Sequence, residues 1–221
     1  MAIQGLGTSI QGYHLAFCRI GDASWTALDG TLFPYRDLVY FSDHQLFYAL
    51  SRYGLEAWDL RDPASPKSSL IIESLPKSRE KITLFKYAYL AVSSSDLLMV
   101  NRFVSNDEPS YTVSFDVYKL DFLRKEWVYL SSLGDRVLFV GENYHSSESF
   151  SAHDFPAGTL IPNSIYFTPV DINDHYVAGN ELGFFNLEDK IIYCCPFFKK
   201  RNQEVQPSPA WIDCASAVKL S

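Results

Sequence analysis

Four segments of this chain end alike, and their recurrence limits the fold more than any other feature. Phe17-Cys18-Arg19-Ile20, Ala57-Trp58-Asp59-Leu60, Val117-Tyr118-Lys119-Leu120 and Phe184-Phe185-Asn186-Leu187 each run apolar, variable, polar, aliphatic, with an acidic residue within two positions after the last. Two are followed by a second strand of one pattern, Trp25-Thr26-Ala27-Leu28 and Trp127-Val128-Tyr129-Leu130. Upstream of three sits a hairpin arm of similar build: Leu46-Phe47-Tyr48-Ala49-Leu50, Leu97-Leu98-Met99-Val100 and Leu138-Phe139-Val140. The endings are spaced 40, 60 and 67 residues apart. A unit repeating at about 40–50 residues, lengthened by loop insertions, is the mark of propeller blades. The arm Leu46–Leu50 is apolar on both faces, which suits blades stacked face to face better than a sheet with one wet side. The alternative is a β-sandwich whose hairpins are alike by chance.

Short apolar runs bounded by turn residues predict the strands themselves. They are expected at Tyr13–Cys18, Ser24–Leu28, Asp37–Phe41, Gln45–Leu50, Leu55–Leu60, Tyr87–Val92, Leu97–Arg102, Tyr111–Leu120, Glu126–Ser131 and Arg136–Val140. The last group is Ser164–Thr168, Gly183–Leu187, Ile191–Cys195 and Trp211–Cys214. Tyr (14) and Phe (16) are abundant, as a pleated, half-buried surface favours, and apolar residues make up 47% of the 221, enough for a substantial core. The expected fold is all-β, a β-propeller of antiparallel blades with about four blades in an incomplete ring. Residues 1–12 read as a flexible N-terminal segment and 13–221 as the partial propeller. The ring is expected to be open beside Tyr13–Cys18, with Trp211–Cys214 as a last strand.

Charge argues against a nucleic-acid partner. Lys plus Arg number 19 against 26 Asp plus Glu, a net charge of −7, and a phosphate backbone needs clustered cations. Lys199-Lys200-Arg201 reads as a solvated turn. The start, Met1-Ala2-Ile3-Gln4-Gly5, has neither the basic nor the apolar region of a secretory signal. No apolar run reaches the length of a membrane span. Cys18, Cys194, Cys195 and Cys214 fit no disulfide framework and no zinc spacing. They read as reduced thiols in a cytoplasmic or nuclear protein.

No motif for catalysis, metal or cofactor stands out. Trp58-Asp59 looks like the dipeptide of WD repeats, yet it does not recur. Gly5-Leu6-Gly7 through Gly12 lacks the strand and helix of a phosphate loop. His145, His153 and Asp154 are close enough in sequence to ligate a metal, but flank a polar loop and read as loop residues. Asp171 and Asp174 lack the further ligands and glycine of a calcium loop. Two long loops, Arg102–Ser110 and Glu142–Asp154, interrupt the repeat, and such insertions are where binding residues concentrate. Arg102, Phe103 and Tyr144 are the residue types that anchor interfaces, so they are the predicted partner-binding residues. The competing reading packs Phe103 under its own loop.

A family resemblance adds to this. It is carried by Phe115-Asp116-Val117-Tyr118-Lys119-Leu120-Asp121, Lys125-Glu126-Trp127-Val128 and Ser132-Leu133-Gly134-Asp135-Arg136-Val137-Leu138-Phe139-Val140. Phe150-Ser151-Ala152-His153-Asp154-Phe155-Pro156, Asn163-Ser164-Ile165-Tyr166-Phe167-Thr168, Leu15-Ala16-Phe17-Cys18-Arg19 with Ser24-Trp25, and Leu38-Val39-Tyr40 with Leu46-Phe47-Tyr48-Ala49 extend it. Together they resemble the plant F-box-associated propellers, the KIB-type family also catalogued as domain of unknown function 295. The resemblance implies a propeller that recruits the substrate of a cullin ubiquitin ligase, with an F-box docked on a Skp-type adaptor, and in some members a shaggy-like kinase as bound protein. Nothing like F-box helices precedes Tyr13, so adaptor docking is not expected here and the first blades are expected to be missing. The family offers no catalytic residues to carry over. The expected function is therefore a protein-interaction module, not an enzyme. The alternatives are an F-box-free relative, including an organellar one, and a sugar-binding or hydrolytic propeller.

Overall fold

Apolar residues at consecutive positions force strands that are buried on both faces, and the strands then have to stack as sheets. The computed structural model describes residues 2–6, 14–76, 85–105, 111–141, 147–168 and 182–194. The chain divides into two compact units, 1–102 with 115–130, and 103–114 with 131–221.

The first unit opens with a three-stranded antiparallel sheet of β1 (Ala2–Leu6), β2 (His14–Cys18) and β3 (Thr26–Leu28) in that order. The segment expected to be a flexible lead-in thus holds a strand, Ala2–Leu6, in register with β2 from Ala2 opposite Cys18 to Leu6 opposite His14. β2 is paired on both sides, so the open edge expected there is not present. The second sheet is a meander of β4 (Tyr35–Phe41), β5 (Leu46–Ser51), β6 (Leu55–Asp59) and β7 (Lys67–Ile72). The third is β8 (Phe85–Ser93), β9 (Asp96–Val104), β10 (Thr112–Asp121) and β11 (Glu126–Leu130), again in chain order across the sheet. Each runs in chain order as a propeller blade does, and the first strands of the second and third, β4 and β8, pack together as inner strands.

Both faces of the second blade are packed. Leu38, Ala49, Trp58 and Leu60 meet Leu15, Phe17 and Leu28 of the first sheet. Phe41, Tyr48, Leu50, Leu55 and Ala57 meet Ala88, Leu90, Leu97, Met99, Tyr118 and Leu120 of the third. This is why Leu46–Leu50 carries apolar side chains without alternation. The inner strands are tied as well: Asp37 on β4 accepts hydrogen bonds from the backbone N–H of Leu38 (2.7 Å) and of Leu90 on β8 (2.5 Å). Burial pushes the Asp37 carboxyl up to about 7, while the two amides act in the opposite direction.

Tight hairpins repeat one backbone device. Gln45, Ser94, Lys125 and Lys190 have φ between 54° and 61° at the turns before β5, β9, β11 and β16. A left-handed residue after a type I turn lets two antiparallel strands meet without splaying.

The second unit holds a five-stranded sheet in the order β13 (Glu148–Ser151), β12 (Arg136–Val140), β14 (Ser164–Phe167), β15 (Gly183–Asn186) and β16 (Ile192–Cys194). A short 3-10 turn, Ala152–Asp154, follows β13. Two expectations are corrected here. Leu138-Phe139-Val140 is not the hairpin arm of Phe184–Leu187: β14 takes that place, and β12 lies parallel to β14 on its far side. The stretch Glu142–Asp154 is only in part a loop, because β13 pairs with β12. Asn163 ties this unit together. Its side-chain oxygen accepts from Leu133 N (2.8 Å) and Ser132 Oγ (3.2 Å), its N–H donates to Arg136 O, and its carbonyl accepts from Leu187 N. Leu138, Val140, Ile165, Phe167 and Phe185 are buried. On the sheet positions between them, Phe139, Tyr166, Phe184 and Tyr193 form a cross-strand ring ladder with centroids 4.9 to 5.2 Å apart. The predicted strand Trp211–Cys214 lies outside the described residues.

Candidate interaction surface

The predicted partner-binding residues are not displayed together. β9 runs on to Val104, so Arg102 and Phe103 belong to a ladder rather than a loop. Arg102 is fully buried, with its guanidinium carbon 5.9 Å from the Phe115 ring centre, and Phe103 is 2% exposed. Neither can anchor a partner from that position, which corrects the expectation for both. Tyr144 lies outside the described residues, as do His145, Asp171 and Asp174. His153 and Asp154 sit exposed in the 3-10 turn, where the His153 N–H donates to Ser151 Oγ. Among the described residues no three His, Cys, Asp or Glu side chains are grouped to hold a metal ion.

An exposed ring, a half-buried one and a cation do meet elsewhere, at one end of the second blade. Antiparallel pairing brings the end of β4, the start of β5 and the end of β6 side by side, with Tyr40 opposite Phe47 and Phe47 opposite Trp58. Tyr40 and Phe47 lie 4.8 Å apart between ring centres, and Tyr40 is 48% exposed. With Gln45, Leu60 and Arg61 they line a half-open cleft of about 410 Å³. Arg61 is fixed by Asp59, whose two oxygens accept from Nε (2.9 Å) and Nη2 (2.5 Å), while the Arg61 N–H also bonds Asp59 Oδ1. The Arg61 side-chain bonds hold the Asp59 carboxyl down to about 2. The guanidinium is thereby oriented at the rim, and it remains largely exposed.

The turn that supplies Gln45 is itself braced. His44 packs at a tilt against Phe41 (4.3 Å) and meets Phe122 edge-on (4.6 Å), and its Nδ1 lies 2.7 Å from the Tyr48 hydroxyl. Phe122 belongs to the β10–β11 turn of the third blade. There Asp121 Oδ1 accepts from the Leu123 and Arg124 N–H groups, leaving Leu123 93% exposed. An aromatic lock between two blades therefore holds the cleft wall. The cleft offers ring faces on two strands and, from the adjoining turns, an amide and a guanidinium; tyrosine and arginine are among the residue types that carry most interface energy. Spacing alone did not reveal it, since it depends on register across three strands. The one legible signal was Arg61, directly after a repeat ending.

Comparison with known proteins agrees with this architecture. The family model described as the KIB1-4 β-propeller matches residues 2–186. "Putative F-box protein At5g55150" of Arabidopsis thaliana is 29% identical over 188 residues, 80% of this chain and 48% of that protein. F-box protein SKIP23 of the same plant is 24% identical over 90% of this chain and 51% of its own length. F-box protein At2g17690, also of Arabidopsis thaliana, is 41% identical over 61 residues, 28% of this chain and 14% of its own. The chain spans about half the length of the curated relatives it matches. The matched stretch takes in every sheet described above except the last strand, β16, and the chain belongs to the KIB1-4 β-propeller family.

Proposed function

We propose that this chain is a protein-recognition module whose contact surface is the cleft of Tyr40, Gln45, Phe47, Leu60 and Arg61. The observation that carries the reading is the exposed Tyr40, paired with the half-buried Phe47 beside an oriented Arg61, in a family whose relatives bear the names of F-box proteins. In the whole protein the module would present a substrate to a cullin ubiquitin ligase. The resemblance makes a shaggy-like kinase the first candidate partner to try. A reducing compartment, cytoplasm or nucleus, is part of the proposal and follows from cysteine spacings that fit no disulfide framework.

Affinity capture from a plant extract tests it, with the wild-type chain beside the double variant Tyr40→Ala, Arg61→Ala. Both side chains are exposed, so stability should change by less than about 0.5 kcal/mol. Loss of an aromatic and an arginine anchor should weaken a bound partner by about 2 kcal/mol or more. The expected result is a set of proteins captured by wild type and absent from the variant. Equal capture by both would reject the cleft as the contact surface.

A further inference from the structure

The turn from β6 to β7 carries a sequence that the cleft does not use, Ser65-Pro66-Lys67. Ser65 is exposed, its N–H donates to Asp62 O (3.1 Å), and its hydroxyl makes no hydrogen bond among the described residues. Pro66 removes the next backbone donor, so a protein gripping this segment from outside meets no N–H there that needs a partner. Lys67, Ser68, Ser69 and Leu70 follow on β7, all exposed, at the outer edge of the blade. The acceptor hydroxyl therefore lies exposed in the turn, followed by a half-buried proline and by the exposed cation that opens the edge strand.

The chain supplies its own comparison. Thr168-Pro169 is also a hydroxyl residue followed by proline, but Thr168 is 2% exposed and its N–H is bonded to Val140 O. Fold alone thus separates one reachable site from one that is closed.

We propose that Ser65 is a phosphoryl acceptor for a proline-directed serine/threonine kinase. Ser65 Oγ attacks the γ-phosphorus of ATP, the new O–P bond forms as the bond from that phosphorus to the β–γ bridging oxygen breaks, ADP leaves, and the hydroxyl proton passes to the kinase base. The product adds about −1.5 to −2 charges within a turn flanked by Arg61 and Lys67. Phosphate oxygens compete with Asp59 for the Arg61 fork, since both accept paired N–H bonds. Arg61 lines the cleft, so modification would alter recognition there. That consequence rests on the cleft reading, whereas the acceptor assignment does not.

The test is incubation of the full chain with a mitogen-activated protein kinase and ATP, with sites located by mass spectrometry. Phosphate is expected at Ser65, none at Thr168, none at position 65 of Ser65→Ala, and a rate about tenfold lower in Pro66→Ala, close to 1.4 kcal/mol in barrier. No phosphate at Ser65 while the kinase modifies a control peptide overturns the proposal, as does an undiminished rate in Pro66→Ala. Phosphorylated Ser65 with unchanged capture of partners would leave the acceptor standing and reject the cleft.

Discussion

Glu56 is a buried carboxylate of the first unit, 1% exposed, and its removal should cost more than any surface change. It sits on β6 and reaches the crossing loop from the first blade to the second. Oε1 accepts from Thr31 N (3.0 Å) and Thr31 Oγ1 (2.5 Å), and Oε2 accepts from the Tyr35 hydroxyl. A Cβ at Gly30 would collide with that hydroxyl, so the loop closes tightly over the cluster. Burial, and then the bond to Glu56, hold the Tyr35 phenol protonated far above its usual range, as a donor requires. In Glu56→Ala, Thr31 is exposed and recovers water, so each of its two bonds costs about 0.5–1.5 kcal/mol. Tyr35 is 2% exposed and its hydroxyl is left without an acceptor, a further cost of about 1–3 kcal/mol. Together these come to about 2–6 kcal/mol, read as a lower midpoint in urea unfolding followed by tryptophan fluorescence. Tyr35→Phe should cost at least about 1 kcal/mol in the wild-type chain and nothing in Glu56→Ala, because there the orphaned hydroxyl is removed. Additive losses within about 0.5 kcal/mol would refute the shared hydrogen bond.

Asp37 should make stability depend on pH. A carboxyl raised to about 7 from 3.8 binds its proton more tightly in the folded chain, so its contribution is full below about pH 4 and lost as pH rises through 7. Asp37→Asn cannot ionise and should gain on wild type when urea midpoints are compared from about pH 5 to about pH 8. Asn163→Ala should lose about 2–3 kcal/mol, from two side-chain hydrogen bonds and a left-handed φ of 57° that a residue other than Gly or Asn adopts at a cost, read by thermal unfolding. Gly54→Ala should lose about 2–4 kcal/mol, because the added methyl meets the Ile72 carbonyl of β7, and hydrogen exchange should show β7 losing protection first.

What the sequence made legible follows from where the apolar contrast is strong. The blade cores were readable because Leu46–Leu50 of β5 and Leu97–Val100 of β9 are continuous apolar runs, and the four repeat endings fall at the ends of β2, β6, β10 and β15. β7 was not, because it opens Lys-Ser-Ser at an exposed edge, where pairing to β6 rather than burial makes the strand. β1 was hidden by glycine, which removes the pattern but leaves the backbone free to pair with β2. β13 was hidden by serines that pair at the edge of the last sheet. Arg102 was misread because an arginine after Asn101 looks like the end of a strand, and here it is buried two residues before that end. The cleft is a property of register, with residues 40, 47 and 61 joined only once three strands align.

Site-specific photo-crosslinking tests the central claim most directly. A photoreactive group replaces Tyr40 in the cleft in one sample and Leu70 in another. Leu70 is comparably exposed at 41% but stands on the outer edge of the same blade. In a plant extract, protein adducts are expected from position 40 and not from position 70. Adducts that are equal at the two positions, or confined to position 70, would contradict recognition through the cleft.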